Sequence, residues 1–69
     1  MFAPTVAARP VAIDAAEIRY ADLLVVGGGD VEVLAVFHEG GVAWFRGEAG
    51  EYQLRHGSTV ERVVEGWRR

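Results

Sequence analysis

Apolar residues in this chain come in short runs set off by glycine. Leu23-Leu24-Val25-Val26, Val31 to Glu39 (VEVLAVFHE), Val42 to Arg46 (VAWFR) and Glu51 to Arg55 (EYQLR) are rich in β-branched and aromatic residues, and GGGD, GG and GEAG separate them. Such residues suit a pleated, half-buried strand, and turn signals at this spacing predict a meander or small barrel rather than βαβ units. Val11-Ala12-Ile13 reads as a further short strand, and residues 1–10, with two prolines and no periodicity, as an extended arm. Asp14-Ala15-Ala16-Glu17 has the spacing of a capping box, in which each side chain satisfies a backbone N–H, and it predicts one short helical turn near 14–18. A longer helix reaching Leu24 fits the spacing of Ile18, Ala21 and Val25, but the β-branched, glycine-stopped run Leu23 to Val26 favours a strand there.

The segment 59–67 has two readings. Val60, Val63, Val64 and Trp67 lie at i, i+3, i+4 and i+7, as on one helix face, and Ser58-Thr59-Val60-Glu61 repeats the capping-box spacing. Alternatively VERVV is a closing strand, which would cover an edge that an open meander leaves exposed. The sequence thus predicts one mainly β domain over residues 11–66, an all-β five-stranded barrel with the helical turn and a C-terminal helix as the open question, followed by a basic tail at 67–69.

Alternation within VAWFR puts Val42, Trp44 and Arg46 on one face and Ala43 and Phe45 on the other. Two neighbouring rings cannot both enter one small core from a regular strand, so either one of them meets solvent or a partner, or a bent barrel strand buries both, or Arg46 lies over Trp44. Trp, Tyr and Arg dominate binding hot spots, and a hairpin at Gly47 to Gly50 would bring Trp44, Arg46, Tyr52 and Arg55 together. With Trp67 they form the candidate partner surface. Leu23 to Val26 and Val33 to Phe37 are apolar on both faces, whereas one small sheet has one interior. Something must cover the second face: the N-terminal arm, a C-terminal helix, or a second copy of the chain. Self-association or a protein partner is the expected interaction.

Composition narrows the choices further. A chain of 69 residues buries only about 60% of the surface its unfolded form exposes, so its stability margin is thin. It has no cysteine, which excludes disulfides and thiolate metal sites. Seven basic residues, all arginine, stand against ten acidic ones; lysine and asparagine are absent, the codon bias expected of a GC-rich bacterial or phage genome. The net charge of −3 gives no general attraction to nucleic acid. No apolar run approaches the roughly 20 residues of a membrane span, and MFAPTVAARP lacks the pattern of a secretory signal, so a cytoplasmic location is expected.

The stretch AAEIRYADLLVVGGGDVEVLAVFHEGGVAWFRGEAGEYQLRHGSTVERV resembles small SH3-like β-barrels of the KOW type, which open on an A-x-D/E-I-x-x-G-D turn and continue through glycine-separated strands. The resemblance implies a barrel over Ala15 to Val64 and, through KOW modules, contact with nucleic acid or ribosome-associated partners. Ala21 departs from it, standing where glycine precedes the aspartate; if that position needs a positive φ, alanine carries a steric cost. Asp22 to Gly29 also resembles the first strand and turn of a dinucleotide fold, with Gly27 and Gly29 in the first two glycine positions. Glu32 occupies the third, and the valine-rich VEVLAVF after it is a poor helix, so Gly27 to Asp30 is expected to be a hairpin loop without a cofactor.

Catalytic and metal chemistry have thin inventories. His38 and His56, with Glu39 and Glu51, are the residues able to ligate zinc, but no HxH, HxxxH or HExxH spacing is present, and no metal is expected. Thr5, Ser58 and Thr59 are the only aliphatic hydroxyls; Ser58 and Thr59 read as turn or cap residues, so the chain is expected to be non-enzymatic.

Overall fold

The structure, a computed structural model, describes residues 6–67. It is mainly β, with seven strands in two antiparallel sheets: β1 (Val6–Asp14), β2 (Leu23–Val26), β3 (Gly29–Glu32), β4 (Ala35–Glu39), β5 (Val42–Gly47), β6 (Gly50–Arg55) and β7 (Thr59–Trp67). Spatial order is β1-β7-β2-β3 in one sheet and β4-β5-β6 in the other. The strand ladders do not run on from one sheet into the other as a closed ring, so the expected five-stranded barrel is replaced by two open sheets.

Two hairpins owe their geometry to glycine pairs. Gly27 and Gly28 have φ of 61° and 84°, and Gly40 and Gly41 of 61° and 72°. Positive φ at both central residues makes a two-residue turn whose twist matches the flanking strands, and glycine adopts it without steric cost. Val26 therefore pairs with Gly29, and Glu39 with Val42. The glycine stretch is a hairpin turn, but of Gly27 and Gly28 alone; Gly29 and Asp30, expected in the loop, open strand β3.

The expected strand Val31 to Glu39 is divided. Val33 donates its N–H to the Asp22 carbonyl, whereas Leu34 donates to the carbonyl of Arg46. The chain changes partner between these two residues, and so passes from the first sheet to the second. Val33 turns fully inward and Leu34 is exposed. One continuous strand could not serve both sheets without this bend.

The 59–67 segment is strand β7, not a helix. It pairs along its length with β1, from Val6↔Trp67 to Asp14↔Thr59, and also with β2 at Leu24↔Arg62 and Val25↔Glu61. As a helix it would leave the edges of both β1 and β2 unpaired, and backbone groups without partners are costly. Its valines Val60, Val63 and Val64 suit the strand as well. Residues 6–10, expected as an extended arm, are extended and paired with 63–67. Residues 1–5, 68 and 69 lie outside the described residues, as do the side chains of 6–7 and 65–67.

The helical turn forms as expected, as one short 3-10 turn over Ala15–Glu17. Asp14 accepts the Ala16 N–H at 2.8 Å through Oδ1, and Glu17 accepts the Asp14 N–H at 3.4 Å, completing the capping box. Next comes a tight turn, Arg19 to Asp22, in which Ala21 is the only non-glycine residue with positive φ, 72°, among those described. The core between the sheets is Ile13, Ala15, Ile18, Leu24, Val33, Ala43, Phe45 and Val60, flanked by Val26, Val31, Val36, Tyr52 and Leu54.

Candidate functional site

The register of β4, β5 and β6 decides which side chains share a face. Phe37 pairs with Trp44 and Trp44 with Gln53; Ala35 pairs with Arg46 and Arg46 with Glu51; Glu39 pairs with Val42 and Val42 with Arg55. These nine residues form three rows on one side of the sheet, because side chains alternate along a strand. Eight are exposed and Val42 is half-buried. The other side carries Ala43 and Phe45, both buried, with Val36, Tyr52 and Leu54 partly buried against the core.

At the middle of the outward face, the Phe37 and Trp44 rings stack nearly parallel, 6.1 Å between centroids and 7° between planes. Phe37 keeps 56% of its surface exposed and Trp44 39%, although both are large apolar groups. Inside the sheet Phe45 and Tyr52 stack at 5.2 Å and 14°. Of the two neighbouring rings in VAWFR, Phe45 is therefore the core residue and Trp44 the outward one, as alternation requires. A concavity of about 560 Å3 lies at this face, with Ala35, Phe37, Trp44, Arg46, Glu51 and Gln53 as its outward-facing lining. The four charges on the face balance: Arg46 and Arg55 against Glu39 and Glu51.

Of the five residues expected on a partner surface, the structure brings together Trp44, Arg46 and Arg55. Tyr52 sits on the opposite side of the same sheet, against Phe45, since β6 presents it one position out of phase with Gln53. Trp67 ends β7 in the other sheet, opposite Val6, and its side chain lies outside the described residues. Phe37 is the residue that the sequence reading missed. Its signal was present in the double-faced run Val33 to Phe37, once the bend after Val33 fixes which face each residue takes.

The two histidines come together from distant parts of the chain. His38 Nε2 lies 2.9 Å from the Ile18 carbonyl oxygen, which can only accept, so this nitrogen carries a proton and donates it. In the neutral ring His38 Nδ1 is then an acceptor, and it receives the N–H of His56 Nε2 at 2.8 Å. The rings are tilted at 47°. The pair ties β4 and the turn after β6 to the loop after the 3-10 turn. Among the described residues, no three His, Cys, Asp or Glu side chains gather as a metal-binding group.

A second concavity, about 550 Å3, is lined by Glu17, Tyr20, Val36, His38 and Arg62 among others. Arg62 Nε is buried there without a hydrogen-bond partner, whereas its Nη2 is engaged. Arg62 Nη2 donates to Asp22 Oδ2 at 3.0 Å and to the Glu17 carbonyl at 2.8 Å, and Asp22 Oδ2 also accepts the Arg19 N–H at 2.8 Å. The side chains of this pair keep only 18% and 14% of their surface exposed. Asp14 is held below the usual carboxylate range, first by the Gly57 N–H and then by that of Ala16, with His56 adding a smaller pull against slight desolvation. These groups fasten loops to strands.

No protein-family model, curated protein or solved structure matches the chain. Its class is therefore defined by its own geometry, as a small two-sheet β module with an aromatic outward face. Among the described residues no helix is long and apolar enough to cross a membrane.

Proposed function

We propose that the chain is a non-enzymatic protein-interaction module that binds through the outward face of β4, β5 and β6. The observation that carries this reading is the Phe37–Trp44 stack, two large rings left exposed in the middle row of a three-stranded sheet. Exposed apolar surface rimmed by polar groups marks contact sites, and an aromatic anchor beside arginine is the usual composition of a hot spot. Arg46 and Arg55 supply that neighbour, while Tyr52 supports the face from beneath through Phe45. Counting β3 and β4 as one bent strand leaves six strands, β1 being additional to the five of the SH3-like barrel that the sequence resembles.

The nucleic-acid reading of KOW type has one feature in its favour, since an aromatic pair between two arginines resembles a base-stacking platform. Glu39 and Glu51 on the same face and the net charge of −3 oppose it. The glycine loop is less suited to phosphate, because Gly27–Gly28 leads into strand β3 and not to a helix N-terminus. Trp44→Ala tests the main reading: proteins retained by the immobilised wild-type chain should be lost, with far-ultraviolet circular dichroism unchanged. Unfolding of the variant, or retention of the same proteins, would refute it. A mobility shift of DNA or RNA at low salt that Trp44→Ala abolishes would transfer the function to nucleic acid.

A further inference from the structure

We propose that the occupant of the outward face is a second copy of this chain, packed face to face about a two-fold axis that crosses the strands through the row Phe37, Trp44 and Gln53. The inference rests on the protein-binding reading above and names its partner. Its basis is the placement of charge. The row Ala35, Arg46 and Glu51 lies on one side of the aromatic row, and the row Glu39, Val42 and Arg55 on the other.

Rotation about an axis across the strands exchanges those two end rows. Glu51 then faces Arg55 of the second copy, and Arg55 faces its Glu51. Arg46 lies over Val42 of the second copy, one strand spacing of about 4.8 Å from its Glu39. The small side chain of Ala35, opposite that Glu39, leaves room for the arginine to reach it. Each of the four charges on a face thereby meets its opposite, in symmetric pairs, as an isologous interface demands. The centre stacks Phe37 and Trp44 against their own symmetry mates and removes the exposed aromatic surface from water. An axis running along the strands would also set Glu39 against Arg55 of the second copy, but it would place Arg46 against Arg46 and leave Glu51 opposite Ala35, and like charges in contact are unfavourable. The pattern on this face thus selects one orientation.

Three strands by five residues make a patch of roughly 14 by 17 Å. That is small beside the roughly 800 Å2 per partner of a standard interface. The dimer is accordingly weak and forms at high protein concentration. It is a two-layer sheet packing of the kind found within β-sandwiches, where inner faces interdigitate with their strands about 30° apart.

Sedimentation velocity of the full chain in 0.15 M salt, from micromolar to millimolar concentration, should show a shift from the 7.5 kDa monomer to a species of twice that mass. Glu51→Arg should weaken the association about tenfold, since it sets arginine against Arg55 twice per dimer. Reversing the whole set, Glu39→Arg, Arg46→Glu, Glu51→Arg and Arg55→Glu together, preserves every pairing within and between copies. That variant should dimerise with itself and fail to pair with the wild type. A readout independent of charge variants is the emission of Trp44 in a Trp67→Phe background, which should shift to the blue as dimer forms. A chain that remains monomeric at millimolar concentration with constant Trp44 emission overturns the proposal. So does a dimer indifferent to both Glu51→Arg and Trp44→Ser. A monomer that still retains another protein through Trp44 overturns self-pairing while the interaction-module reading stands; a monomer that retains nothing removes both.

Discussion

Replacing Ala21 with glycine should make the protein more stable, against the usual rule that glycine weakens a folded chain. The turn Arg19 to Asp22 is closed by Asp22 N–H donating to the Arg19 carbonyl at 3.1 Å, with Tyr20 and Ala21 as its central residues. Positive φ only at the second central residue is the mark of a type II turn, whose preferred residue there is glycine. The backbone has no freedom to relax, because Ala21 N–H donates to the Val33 carbonyl at 2.9 Å and Val33 N–H returns to that of Asp22 at 2.8 Å. An L-residue in the left-handed region costs about 1–2 kcal/mol. Glycine removes that strain but gains about 0.4–1 kcal/mol of extra freedom in the unfolded chain. Ala21 is exposed, so loss of its methyl forfeits little burial. The balance is a gain of about 0.5–1 kcal/mol, or roughly 2–8 °C in Tm for a domain of this size. Urea unfolding followed by circular dichroism measures it, with an unchanged m-value showing that the unfolded surface is the same. Gly40→Ala is the mirror control: φ is 61° there and open space surrounds the position, so only the backbone term changes and stability should fall. A neutral or destabilised Ala21→Gly variant would refute the argument.

Other perturbations probe the fastenings of the fold. Arg62→Ala leaves Asp22 and the Glu17 carbonyl short of a partner in a mostly buried site, and should cost about 1–3 kcal/mol in chemical denaturation. Asp14 has its folded pKa below its unfolded one, so its contribution is complete above the unfolded value and is lost as pH falls through the lowered one. Asp14→Asn should therefore be less stable than wild type at neutral pH, and the gap should close below about pH 4 in thermal unfolding across pH. Gly47→Ala would set a methyl group 2.5 Å from Val31 Cγ1 and 3.4 Å from the Glu32 carbonyl oxygen, where the two sheets meet. Calorimetry should show a loss of about 1–3 kcal/mol.

What the sequence disclosed and what it withheld follow from the range of the forces involved. Hairpins at Gly27 and Gly40 and the capping box at Asp14 are local, governed by φ and by side chains three residues apart, and they were legible. Alternation along one strand also set Trp44 and Phe45 on opposite faces, but which of the two enters the core depends on where the other sheet lies. Tyr52 was misplaced because its face depends on the loop before it. With Glu48 and Ala49 as the loop, Gly47 pairs with Gly50, and counting back sets Phe45, not Trp44, against Tyr52. The bend after Val33 and the strand character of β7 depend on partners far away in the chain. Helical spacing in Val60, Val63, Val64 and Trp67 is real, but β7 fills the gap between β1 and β2, and that gap is invisible locally. The meeting of His38 with His56 likewise exists only after the sheets are in place.

The pairing of β1 with β7 governs the order in which this protein can fold as it is made. Asp14 is joined to Thr59 in the ladder and Val6 to Trp67, separations of 45 and 61 residues. Closing such loops costs entropy before any contact repays it, which places the step late and makes it slow. On the ribosome, the hairpins β2–β3, β4–β5 and β5–β6 can form as each turn emerges. Ile13 and Leu24, however, have no finished core to enter until Val60 arrives. A nascent chain cut short before β7 therefore keeps its apolar β1 without a pairing strand, and its first sheet is assembled only after synthesis has passed Thr59.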